Sequence, residues 1–266
     1  DDGDDMRATD CSALRVRFDG DRVPVVSENV AVGNVSSLRV RSGNNGGVRV
    51  IGTTGRGYSV TACKAAASGI DAGQIHTAFD GSEVSATGPE NDDWLVYFIV
   101  QTPSNATLDV TASNGPISVA DFSGNLTAHA HNGPVGLKNS SGTIDASTIN
   151  GPISIEGGNG NVKLTASNGP LSVKLDGTTW QGGSLDGSTK NGPVSLRMPR
   201  GYLSGVVVES LGHGPVSCRA EGCAQARLPA NDDRDDDMPR RIELGSGAAA
   251  VHLTTVNGPV SVKDRD

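Results

Sequence analysis

Short runs of alternating apolar and polar residues recur through the chain at near-constant distance. Ile117/Val119, Val135/Leu137, Ile153/Ile155, Leu171/Val173, Val194/Leu196, Val216/Cys218 and Val260/Val262 flank Ser118, Gly136, Ser154, Ser172, Ser195, Ser217 and Ser261. Apolar-polar-apolar alternation predicts a half-buried strand, aliphatics inward and serine outward. A second strand precedes each of these: Leu108/Val110/Ala112, Leu126/Ala128/Ala130, Ile144/Ala146/Thr148, Val162/Leu164/Ala166 and Val251/Leu253/Thr255. Its outward positions hold Asp109/Thr111, Thr127/His129, Asp145/Ser147, Lys163/Thr165 and His252/Thr254.

Between the two strands stands Asn-Gly-Pro. It begins at Asn114, Asn132, Asn150 and Asn168 at equal spacing, then at wider intervals at Asn191, as His213-Gly214-Pro215, and at Asn257. A fixed period of this length marks a stacked repeat architecture. Glycine gives the corner freedom in φ, and proline locks φ and has no N–H to satisfy. The Asn column is placed to form an amide ladder between units. The predicted fold is all-β, a parallel β-helix or β-solenoid with coils of about 18 residues, successive units stacking in register about 4.8 Å apart.

Residues 1–100 fit the repeat less well and read as an N-terminal cap with degenerate coils, continuous with regular repeats over 101–266. Leu38/Val40, Asn45-Gly46-Gly47-Val48 and Val50 resemble degenerate copies, with Tyr58/Val60/Ala62 following. Trp94 to Val100 is the most apolar stretch and is assigned to the buried N-terminal coils or cap, since an open solenoid end exposes a strand edge. Thr178 to Ser184 lengthens one unit. Val206-Val207-Val208-Glu209 breaks the alternation, and a loop is inserted at about 219–250, including the acidic run Asp232 to Asp237.

Composition suits a narrow aliphatic core with many corners: aromatics are 3% of residues and Gly numbers 36. A net charge of −8 argues against a general nucleic-acid binder. No apolar run is long enough to span a membrane. The acidic start, Asp1-Asp2-Gly3-Asp4-Asp5, has no signal-peptide core and reads as a mature or trimmed end, the leader removed. Of three connectivities open to the four cysteines, the sequence-local pairings Cys11–Cys63 and Cys218–Cys223 are favoured; four buried thiols are the alternative. Such bridges suit a secreted, periplasmic or cell-surface protein.

Phe98-Ile99-Val100-Gln101-Thr102-Pro103, leading into Leu108 to Val119, and the repeated strand, Ser-Asn-Gly, strand units after it resemble the bacterial putative-adhesin family, related to auto-transporter adhesin head domains. The likeness covers about residues 95–266 well and the first hundred weakly. It implies an exported or membrane-tethered protein and brings no catalytic residues.

The sixth position after each corner Asn reads Ala120, Lys138, Glu156, Lys174, Arg197, Arg219 and Lys263, mostly basic in an acidic protein. Lys138, Lys174, Arg197, Arg219 and Lys263 are the candidate ligand-binding residues, suited to carboxylate or phosphate groups of an anionic polymer; a solvated face that discourages sheet association is the plainer reading. The outward acids that a polysaccharide lyase or hydrolase would need are scattered: Asp109, Asp145 and Asp186 occupy equivalent positions, but Thr127 and Lys163 intervene, and no aromatic platform adjoins them. No catalytic, metal or cofactor site is read: His129 and His131 should not converge, and the acidic run lacks spaced Ca²⁺ ligands. The expectation is a non-catalytic extracellular or envelope protein, adhesive or structural, contacting anionic polysaccharide or another envelope protein. The alternatives are a polysaccharide-processing enzyme and an envelope scaffold or signalling module.

Overall fold

The structure is a computed structural model that describes residues 7–43, 45–212, 214–224 and 240–265. The protein is all-β; among the described residues the only helical elements are short 3-10 turns. Two compact units divide the chain, Asp1–Gly136 and Leu137–Asp266.

The first unit contains β1 (Arg17–Phe18), β2 (Asp21–Arg22), β3 (Val26–Val30), β4 (Leu38–Arg41), β5 (Val48–Gly52), β6 (Ser59–Ala66), β7 (His76–Phe79), β8 (Glu83–Thr87), β9 (Trp94–Thr102), β10 (Ala106–Asn114), β11 (Ile117–Ala120) and β12 (Ser123–Asn132). One ladder runs β12, β10, β4, β8 in parallel and ends on antiparallel β7. The other runs β11, β5, β9 in parallel, then antiparallel β6 and β3. The degenerate copy thus lies beside the first regular repeat, Leu38 against Leu108, Val48 against Ile117 and Asn45 bridging Asn114. Val60 and Ala62 belong to an antiparallel strand, which Tyr58 precedes, rather than to a further parallel copy.

Strand β9 explains its own composition. Val96, Phe98 and Val100 are buried on one parity, and Tyr97 and Ile99 on the other. Tyr97 and Ile99 pack with Cys63 and Ala65 under an N-terminal segment carrying Ala8, Cys11, Leu14, Val16 and Val23. A strand covered on both faces loses its polar alternation. The Cys11–Cys63 bridge fastens that segment to β6.

The second unit begins within β13 (Val135–Asn150) and contains β14 (Ile153–Gly158), β15 (Asn161–Asn168), β16 (Leu171–Lys174), β17 (Leu185–Asn191), β18 (Val194–Met198), β19 (Gly205–Ser210), β20 (Val216–Cys218), β21 (Arg240–Leu244), β22 (Ala249–Asn257) and β23 (Val260–Asp264). The first ladder runs β13, β15, β17, β22, β19 in parallel, with β21 antiparallel on β19. The second runs β14, β16, β18, β23, β20, all parallel. Their buried aliphatics meet: a Cβ on Gly187 of β17 would lie 2.8 Å from methyls of both Leu171 and Leu253.

The repeats therefore do not stack in sequence order. Asn191 has Asn257 as its neighbour, because β22 and β23 enter between β17/β18 and β19/β20. Pattern alone could not show this, since every unit offers equivalent edges. The irregular Val206 to Glu209 run accompanies a register shift at Gly205/Val206, where β19 meets β22 on one side and β21 on the other. His213 and the Asp232 to Asp237 run lie outside the described residues.

The corner forms an amide ladder. Asn132 donates to Asn114 at 2.8 Å; Asn168 donates to Asn150, Asn191 to Asn168 and Asn257 to Asn191 at 3.0, 2.8 and 2.9 Å. Glycine follows each Asn because a Cβ at Gly169, Gly192 or Gly258 would collide with the carbonyl of Gly151, Gly169 or Gly192 respectively. Proline has a further consequence. Gly192 N donates to Asn257 O at 3.1 Å and Val194 N to Pro259 O at 2.9 Å, but Pro259, the residue facing the Gly192 carbonyl, has no N–H to return to it. Thr255, fully buried, donates its hydroxyl to that carbonyl at 2.8 Å. Thr189 serves the Gly169 carbonyl, opposite Pro193, at 2.7 Å.

Candidate functional site

The second ladder of the second unit sets two outward columns side by side. Strand alternation sends the aliphatics at the third and fifth positions after Asn inward, so the fourth and sixth face out. Ser154, Ser172, Ser195, Ser261 and Ser217 are consecutive neighbours in register. All five are half-buried, and their hydroxyls have no hydrogen-bond partner among the described residues.

Two residues further along each strand, Glu156, Lys174, Arg197 and Lys263 follow in the same register. Arg219 comes next to Lys263, its backbone N–H donating to Val262 at 2.8 Å. Lys174, Arg197, Lys263 and Arg219 are all exposed. Lys174 stands 3.7 Å from Glu156, whose carboxylate also meets Arg265 at 3.3 Å. Arg197, Lys263 and Arg219 have no ion pair among the described residues. Lys138 is exposed on β13, at the beginning of the unit.

The outward column of the first ladder has a different charge pattern. Asp145, Lys163, Asp186 and His252 are consecutive neighbours there, so Lys163 has a carboxylate on either side, an opposite-charge arrangement that is stabilising across strands. Like charges directly opposite one another are destabilising. Lys174, Arg197 and Lys263 bear that cost without an intervening carboxylate. The same register puts Lys163 between Asp145 and Asp186, so these two acids are not adjacent; in the first unit Asp109 lies beside Thr127 and Arg39.

Two other polar constellations were not legible in the repeat. A cavity of about 460 Å³ in the second unit is lined by Arg200, Tyr202, Glu221, Glu243, Ser246 and Asp264, among others. Asp264 is occupied by Arg200 at 3.4 Å and by the N–H of Glu221 at 3.0 Å, and Glu243 by Arg241 at 2.6 Å. Burial, with Asp176 adding to it, pushes the Tyr202 phenol up to about 12. In the first unit the buried Lys64 ammonium pairs with Glu28 and donates to the Ile75 carbonyl at 2.9 Å. Lys64, and then the Thr77 hydroxyl at 2.5 Å, hold the Glu28 carboxyl below the usual carboxylate range. Both lie where a strand or loop remote in sequence meets the repeat, so no local spacing announces them.

The two predicted bridges are present, Cys11–Cys63 and Cys218–Cys223. Among the described residues no helix is long and apolar enough to cross a membrane.

These features define an all-β protein of mostly parallel, in-register strands, disulfide-bridged, with a serine and cation face. No family model matches the chain, and no curated protein matches it. Among solved structures it is similar to a putative cell adhesion protein from Clostridium sporogenes, at 9% identity over 91% of this chain and 100% of that one, with a TM-score of 0.32. It is also similar to a putative adhesin from Bacteroides fragilis, at 10% identity over 91% of this chain and 97% of that one, again with a TM-score of 0.32. Likenesses of this size carry no inference about the present chain.

Proposed function

We propose that this chain is a non-catalytic extracellular or envelope β-solenoid that works as an adhesive or structural surface module and contacts glycan. Residues 1–100 act as its cap and degenerate coils, and 101–266 as its regular repeats, interrupted by the loop at about 219–250. The parallel ladders within each unit support the solenoid reading, since pairing with the next repeat returns the chain to the same register. Two disulfides support an oxidising compartment. The function rests on one observation: the half-exposed Ser172, Ser195, Ser261 and Ser217 hydroxyls, without protein partners among the described residues, run beside the cation column. A repeated face of this kind accumulates affinity from weak equivalent contacts.

The enzymatic alternative is disfavoured by Lys163 between Asp145 and Asp186. A protein-docking role for Trp94 to Val100 is disfavoured by burial on both faces of β9. Binding of the intact protein to a panel of neutral and acidic polysaccharides tests the reading. Retention on at least one of them is the expected result; retention on none removes glycan contact from the proposal.

A further inference from the structure

Building on that glycan-contact reading, we infer that the Ser172/Lys174, Ser195/Arg197, Ser261/Lys263 and Ser217/Arg219 rungs form a subsite for a linear carboxylated polysaccharide, a polyuronate, lying across the strands with about one sugar per rung. The geometry is a grid. Adjacent rungs are about 4.8 Å apart, and serine and cation on one rung, two residues apart, are about 6.6 Å apart. The four rungs therefore extend over about 14 Å. The rung spacing is close to the length of one pyranose in an extended chain, so successive sugars meet equivalent pairs. Each ammonium or guanidinium faces a carboxylate, and each serine hydroxyl is placed to exchange hydrogen bonds with sugar hydroxyls.

Charge and polarity select this occupant. Arg197, Lys263 and Arg219 have no carboxylate of their own among the described residues, whereas Lys163 on the other ladder is flanked by Asp145 and Asp186. A neutral glycan would leave the like-charge column uncompensated. Single-stranded nucleic acid is held by aromatic stacking platforms, and no aromatic residue lies on β14, β16, β18, β20 or β23. Insertion into a lipid surface needs exposed apolar side chains, and the large ones among the described residues of this unit, Leu203, Leu211 and Val256, are on other segments. The out-of-order entry of β23 is what makes the basic run consecutive, by setting Lys263 directly between Arg197 and Arg219.

The test is titration calorimetry of the intact protein with oligogalacturonates of two, four and eight residues, their methyl esters, oligo-dT and vesicles containing acidic phospholipid. The tetramer should bind at least tenfold more tightly than the dimer, and methyl esterification should weaken it at least tenfold. Arg197→Gln with Lys263→Gln should do the same, and Lys163→Gln on the other ladder should leave binding unchanged. Circular dichroism melting checks that the variants fold; should the double variant not fold, Ser195→Ala with Ser261→Ala must weaken the octamer severalfold. Equal binding of acid and ester, or binding indifferent to these variants, overturns the inference while leaving glycan contact standing. Binding to oligo-dT or vesicles in preference to the oligouronate also overturns it. Failure of every polysaccharide in the wider panel defeats the underlying reading itself.

Discussion

Asn257 donates its side-chain amide to Oδ1 of Asn191 at 2.9 Å, across 66 residues of sequence. That bond joins two repeats that are not consecutive in the chain. It puts the C-terminal strand pair inside the stack of its unit rather than on the end. Asn191 in turn donates to Asn168, so it is a middle rung with a bond on either side. Asn191→Ala should cost about 1–2 kcal/mol, two modest hydrogen bonds at an exposed corner. Urea denaturation of the variant checks this, and an unchanged midpoint would show the ladder to be a by-product of the fold.

The corner glycines are held by close approach rather than by sequence habit. Gly169→Ala should destabilise by about 3 kcal/mol or more, because its Cβ meets backbone that side-chain motion cannot relieve. Gly57 has nothing within 4 Å of its would-be Cβ, and Gly57→Ala should stay within about 0.5 kcal/mol of the parent. Similar losses in both melting curves would contradict this account.

Thr255 compensates for a donor that Pro259 lacks. Thr255→Val keeps the shape and leaves the Gly192 carbonyl unpaired, a loss of about 1–3 kcal/mol. Pro259→Ala supplies an N–H facing that carbonyl. Thr255→Val should therefore cost less in the Pro259→Ala background. A double-mutant cycle with additive effects would break the link.

The Cys11–Cys63 bridge closes a separation of 52 residues, worth about 4 kcal/mol in the chain-entropy account. Reduction should raise hydrogen exchange over residues 8–25 and over β9, whose outer face that segment covers. Unchanged exchange there would mean that apolar packing alone holds the segment.

Glu28 gives the first unit a defined acid sensitivity. Its carboxyl is held below the usual range in the folded state, by Lys64 first and Thr77 second, so the unfolded chain binds the proton more readily. The resulting stability is fully present above the unfolded carboxylate pKa and is lost as pH falls through the lower folded value. Glu28→Gln should lose stability at neutral pH and show a flatter profile below the ordinary carboxylate range. The slope of melting temperature against pH reads this directly; parallel slopes for the two proteins would remove Glu28 as the cause.

The serine and cation columns were countable from each corner Asn, since strand alternation fixes which positions face out. Their neighbours were not. Counting along the chain puts Arg219 after Arg197; the ladder puts Lys263 there. Likewise β9 was legible as buried, but its second cover was not, because the segment from Ala8 to Val23 carries no repeat signal. The cavity around Tyr202 and the Lys64–Glu28 pair were invisible for the same reason: their members come from segments remote in sequence.

Sequence by itself determined the local rules. Alternation made the strands, Asn-Gly-Pro made the corner, and the constant period fixed which residues stack. These follow from backbone geometry acting over a few residues. Tertiary structure alone decided the order of the stack, the cover over β9 and the partner of each charged side chain. Each repeat presents nearly the same edge, so local pattern leaves many pairings close in energy. The choice among them depends on burial and hydrogen bonding summed over the whole unit.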